Sequence, residues 1–154
     1  MSIDWTELRR GLARTRPYLL SHHLPENWDR CYRLSIGGRQ VRICARCSGI
    51  YPGIAAGLGG ALTGLVAIPS VVVIAILPLP ALLDWVLTTI GEREGANALR
   101  TATGALLGFG YGLGLVALSS GRVLELLGVG LAYGLLALLA MGVAARRDEA
   151  LVGF

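Results

Sequence analysis

The sequence predicts an all-α integral membrane fold, a four-helix transmembrane bundle preceded by a small polar hairpin, and three observations carry that prediction. Charged residues make up 16% of the 154 residues and apolar ones 54%, whereas a soluble domain carries about 25% charged residues. No Asp, Glu, Lys or Arg occurs from Leu62 to Leu83 or from Thr101 to Gly121. Charge-free runs of roughly 20 residues are needed by a bilayer and not by a soluble core of this size. The polar chemistry, finally, is gathered at one end: all three cysteines and both histidines lie before Ser48. Mean hydropathy is +0.62.

The charge distribution narrows the partners. Every basic residue is arginine, and nine of the 14 precede Tyr51 against four acids, which makes that segment formally +5. No aromatic-interleaved module accompanies them, so a nucleic-acid partner is not expected. Beside a membrane span, such charge sets topology and meets anionic lipid headgroups. The first apolar run begins only near Gly49, so no signal peptide is expected.

Residues 1–20 form a basic arm. Ile3, Leu8, Leu12 and Leu19 fall roughly on one helical face, which suits either a helix lying on the membrane or a solvated helical arm. Residues 21–47 form a loop-rich hairpin, with two short extended segments around Gly37-Gly38. Residues 48–145 hold four spans. The first covers about 48–67, with Gly49, Gly53, Gly57, Gly60 and Gly64 giving a smooth strip for close helix approach. The second covers about 70–90 and is kinked by Pro78 and Pro80. The third covers about 98–119, with Gly104, Gly108 and Gly112 at the same spacing. The fourth covers about 123–144, and residues 146–154 are a tail. The basic N-terminus and Arg146-Arg147 place both termini in the cytoplasm. Exposed glycine strips make a homo-oligomer an option.

The hairpin has almost no core and needs a staple. Cys44-Ala45-Arg46-Cys47 is a C-x-x-C, Cys31 lies 13 residues before it, and His22 and His23 stand nine and eight residues before Cys31. Three thiolates and one imidazole complete a tetrahedral zinc shell, with iron as the other candidate. Metal binding would then fold the hairpin, and clustered arginines would favour thiolates. Which histidine ligates is open. A redox dithiol and plain free thiols are the competing readings.

Ile43-Cys44-Ala45-Arg46-Cys47-Ser48-Gly49-Ile50-Tyr51-Pro52-Gly53 resembles the hallmark of a family of small microbial membrane proteins catalogued as domain of unknown function 2085. That hallmark is a Cys-Ala-Arg-Cys-Ser/Thr-Gly-Ile-Tyr stretch leading into a span. Ser21-His22-His23-Leu24-Pro25 resembles the family's upstream Cys-His-x-x-Pro element, with serine in place of cysteine. Asp84 and Asn97-Ala98-Leu99-Arg100-Thr101-Ala102-Thr103-Gly104 match its downstream pattern. The resemblance covers roughly residues 21–112. It implies a membrane protein with a cysteine-rich hairpin and carries no established activity.

Asp84 stands in an apolar span, so it should face the bundle or a wet cavity. Arg100 returns from the same loop and is its expected partner, while Asn97, Arg100 and Thr103 share a helix face. The bland reading is a structural ion pair. The functional one is a polar pocket for an anionic lipid headgroup or small solute, with Arg30, Arg42 or Arg46 gripping a phosphate and Tyr51 lining it or anchoring the interface.

Three functions follow: a zinc-stapled membrane protein with such a pocket, a membrane metalloenzyme acting on a lipid-like substrate, or a quinone-linked thiol oxidoreductase using Cys44 and Cys47. No H-E-x-x-H, G-x-S-x-G or P-loop supports an enzyme, and catalytic residues are unassigned.

Overall fold

The computed structural model of the chain describes residues 5–11, 21, 23, 25–90 and 95–152. Residues 5–11 form a short helix, α1. The rest of the basic arm expected over 1–20, with the remainder of its apolar face, lies outside the described residues, as does His22.

A 3-10 helix, Pro25–Arg30, leads into strand β1, Cys31–Ile36, which pairs antiparallel with β2, Arg39–Cys44. Gly37 and Gly38 take φ of 58° and 74°. Both are left-handed, as a two-residue type I′ hairpin turn requires. The register sets Cys31 opposite Cys44 at the open end of the hairpin. Helix α2, Ala45–Leu62, begins at the residue after β2.

Helices α3, Val71–Ile76, and α4, Leu79–Ile90, are the two halves of one apolar stretch. The break falls at Leu77-Pro78, because Pro78 and Pro80 lack the amide hydrogens that would continue the ladder. The Pro78 carbonyl instead accepts the amides of Ala81 and Leu82 and starts the next turn. Helix α5 covers Asn97–Ser119 and α6 covers Val123–Val152. Helix α6 thus runs on through the segment expected to be a tail.

Three stretches are long and apolar enough to cross a membrane: Val71–Ile90, Asn97–Ser119 and Val123–Arg147. Four were expected. The first of them is α2, which starts and stops before the expected 48–67 and does not reach that threshold among the described residues. Glycine, Pro52 and Arg46 dilute its hydropathy.

What α2 lacks in apolar side chains it replaces with close contact. It runs parallel to α5, with Gly49, Gly53 and Gly57 facing the backbone around Thr101, Ala105 and Phe109. Gly104, Gly108 and Gly112 of α5 face the backbone at Arg46, Ile50 and Ile54 in return. A methyl group on any of the six would fall within 3.0 Å of a facing backbone atom. Two strips of four-residue glycine spacing therefore interlock main chain to main chain. A small apolar core of Ile74, Leu113 and Ala117 closes the far end.

Helix α6 is attached differently. None of its apolar window is buried, and Leu124 and Leu131 are 84% and 75% exposed. Tyr133 Oη donates to the Ala75 carbonyl at 2.5 Å. Arg122 donates to Pro69 O at one end, and Arg147 donates to Ile90 O at the other. A helix apolar all round is suited to lipid contact.

Candidate anion cleft and cysteine cluster

The hairpin is docked onto the start of α5. Asn97 Nδ2 donates to the Asp29 carbonyl at 2.8 Å, and Tyr32 Oη lies 2.9 Å from Thr101 Oγ1. Thr101 Oγ1 donates in turn to the Ala45 carbonyl at 2.9 Å. These bonds bring the cysteine end of the hairpin over the polar end of the helices.

There the sulfur ligands expected from the sequence meet pairwise. Cys31 and Cys44 are buried cross-strand partners, and His23 Nε2 lies 3.3 Å from Cys44 Sγ. Ser21, which stands where the resembled motif has cysteine, is buried with its Oγ 3.2 Å from Cys31 Sγ. Cys31 therefore places a thiol directly beside Ser21. Burial pushes the Cys47 thiol up to about 11, with adjacent Cys44 adding to the rise and Arg46 opposing it. Arg46 acts in the direction expected of the clustered arginines, and at Cys47 desolvation is the larger effect. The donor set of three thiols and an imidazole has the chemistry of a zinc shell. Among the described residues, no group of three or more His, Cys, Asp or Glu is gathered closely enough to hold an ion.

Next to the cysteines lies a cleft of about 50 Å³ lined by Arg30, Arg46 and Arg100, with His23 and Cys44 on the hairpin side and Trp85 and Thr88 on α4. Asp84 and Arg100 are each 6% exposed. Asp84 takes its ion pair from Arg46 and not from Arg100 as expected. The reason is the glycine at 104, where a Cβ would come within 2.5 Å of Arg46 O. The first turn of α2 settles into that gap and sends the Arg46 guanidinium across to α4. Arg100 instead donates from Nη1 to Asn97 Oδ1 at 3.0 Å. Among the described residues, Arg46–Asp84 is the one ion pair made by these three arginines, and Arg46 Nε is buried without a hydrogen-bond partner.

The remaining candidates divide. Thr103 is buried and donates to the Leu99 carbonyl at 2.9 Å, which makes it part of the α5 scaffold and not of the cleft. Tyr51 is 59% exposed on α2 and outside the cleft lining. Arg42 stacks over Trp28, 3.7 Å from the ring centroid, so its charge is spent on the hairpin surface. Trp85 and Thr88 were not anticipated. Thr88 lies one helical turn after Asp84 and donates to its carbonyl at 2.7 Å. A second polar residue at that spacing in an apolar span was the available signal.

A protein-family model described as "Predicted membrane protein (DUF2085)" matches residues 28–114. The uncharacterized protein MJ1492 of Methanocaldococcus jannaschii is 30% identical over 104 residues, which cover 59% of this chain. The chain spans 58% of that relative's length. No solved structure gives a significant match. The matched region runs from within the 3-10 helix to the last quarter of α5, taking in the hairpin, the C-x-x-C, Asp84 and Arg100, and the chain belongs to the DUF2085 family of membrane proteins.

Proposed function

We propose that this is a multi-pass membrane protein whose arginine cleft binds the anionic group of a lipid or small solute, beneath a hairpin stapled by zinc. The observation that carries the reading is the charge balance of the cleft. Among the described residues, three guanidiniums line a small cleft beside one carboxylate, which pairs with Arg46, and Arg100 is buried there with no ion-pair partner. Buried positive charge of that kind is costly until an anion joins it, and guanidinium forks suit phosphate and carboxylate oxygens.

The bundle is read as four-helical. Helix α2 lies parallel to α5 along its length, and its 18 residues reach about 27 Å, close to the thickness of a hydrocarbon core. Contact with α5 supplies what its own side chains do not. The hairpin, the start of α5, the end of α4 and Arg147 share one end of the molecule. The concentration of arginine there favours the cytoplasmic side. Zinc held by Cys31, Cys44, Cys47 and His22 or His23 would fix the two-stranded hairpin, which is too small to fold on its own core. The metal's contribution is to hold the hairpin over the cleft, so its role is structural.

Binding of radiolabelled inorganic phosphate to the full chain in phosphatidylcholine nanodiscs tests the cleft. One saturable site, weakened at least tenfold by Arg30→Gln, is expected, and absence of saturable binding to the wild type would refute the reading. Elemental analysis tests the staple. About one zinc per chain should be found and lost in Cys44→Ser, whereas a variant that keeps metal and stability would remove it.

A further inference from the structure

The cleft does not end at Arg46. Arg46 and Trp85 also border a second space of about 360 Å³, which lies between Pro78 at the helix break, Leu82 of α4, Leu107 of α5 and Gly134 of α6. Those positions are in the middle of the three apolar stretches. Apart from Arg46, Trp85 and Tyr133 its walls are hydrocarbon, and the Tyr133 hydroxyl is already donated to Ala75 O. On the α6 side, no atom lies within 4 Å of where a Gly134 side chain would begin. The volume falls in the range of small-molecule sites.

The two spaces are chemically opposite and share a wall. A space of about 50 Å³ has room for a small anionic group and none for a hydrocarbon chain. Three guanidiniums over one carboxylate suit a phosphate, which offers more oxygens and more charge than a carboxylate. A soluble anion would use the cleft and leave the groove without a ligand. An amphiphile uses both.

We infer that the ligand is a phosphate-headed amphiphile drawn from the bilayer, with its phosphate on Arg30, Arg46 and Arg100 and one hydrocarbon chain in the groove between α4 and α6. This rests on the anion-binding reading of the cleft. The headgroup enters beside the Arg46–Asp84 pair and competes with Asp84 for Arg46. The chain lies against α6, the helix with the least packing to hold it shut.

The test compares radiolabelled monododecyl phosphate with inorganic phosphate on the full chain in phosphatidylcholine nanodiscs, with empty nanodiscs subtracted. Monododecyl phosphate should bind at least tenfold more tightly. Gly134→Leu, which fills the groove, should weaken monododecyl phosphate at least tenfold and leave inorganic phosphate unchanged. Arg30→Gln should weaken both. Equal affinity of the two probes, or indifference of monododecyl phosphate to Gly134→Leu, would overturn the inference while leaving the anion cleft in place. Binding of neither probe would remove the cleft reading itself. A change in oligomeric state in Gly134→Leu, with both affinities unaltered, would show a second copy of the chain covering the groove and would likewise overturn it.

Discussion

The α2–α5 pair and helix α6 solve the same problem, holding a helix in place among apolar surroundings, in opposite ways. Helices α2 and α5 meet backbone to backbone through six glycines. Helix α6, more apolar than α5, touches the rest lightly and is tethered by a hydroxyl and two arginines that reach main-chain carbonyls. In lipid, apolar side chains gain nothing by leaving hydrocarbon for protein, so hydrophobicity keeps a helix in the bilayer without attaching it to a neighbour. Fit and hydrogen bonds do the attaching. The less hydrophobic helix is accordingly the better packed.

That contrast can be broken most severely at the glycine contact. Gly108→Leu would drive a branched side chain into the Ile50 backbone and should cost more than about 3 kcal/mol, read as lost resistance to unfolding in detergent. A variant as stable as the wild type would mean that the two backbones are not in contact. Next is Asp84→Asn, which leaves Arg46 without its counter-charge. Because Arg46 is 24% exposed, a cost of about 2 kcal/mol is expected, below that of a fully buried pair. Reversing the pair, Arg46→Asp with Asp84→Arg, should recover part of that loss, and no recovery would sink the ion-pair assignment. Tyr133→Phe removes one hydrogen bond from α6 and should cost about 1 kcal/mol, measured as easier proteolytic release of the C-terminal helix. Gly128→Ala on the open face of α6 should change stability by less than about 1 kcal/mol, toward stabilisation. A large loss there would mean that the face is covered by another chain.

Most of the fold was legible, because lipid and glycine both leave marks with a period. The charge-free runs located α3 with α4, and α5, and the Gly-Gly turn located the hairpin. The spacing of Gly49, Gly53 and Gly57 and of Gly104, Gly108 and Gly112 announced close packing. It did not say which strip meets which, because spacing defines a face and not its partner. The same ambiguity applies to Gly130 and Gly134, which show the identical spacing and yet have nothing within 4 Å. The candidate site was legible in composition and not in pairing. Asp84, Arg46, Arg100 and the cysteines were all identifiable by residue type. That Arg46 and not Arg100 answers Asp84 depends on how deeply one helix settles against another, a distance no local pattern encodes. Trp85 and Thr88 went unread because beside an intramembrane carboxylate they look like ordinary span residues.

The glycine contact also orders events during synthesis. Gly49 and the Thr101 backbone it rests on are separated by about fifty residues of chain. Contacts at such separation form late and slowly compared with local ones. Helix α2 is made first among the long helices, yet its partner is completed only after α3, α4 and half of α5 have followed it. The cysteine hairpin, joined to α2 without a break, therefore waits for its seat on Asn97 and Thr101 while about fifty further residues are made. When α5 arrives it meets both α2 and the hairpin, before α6 has been made.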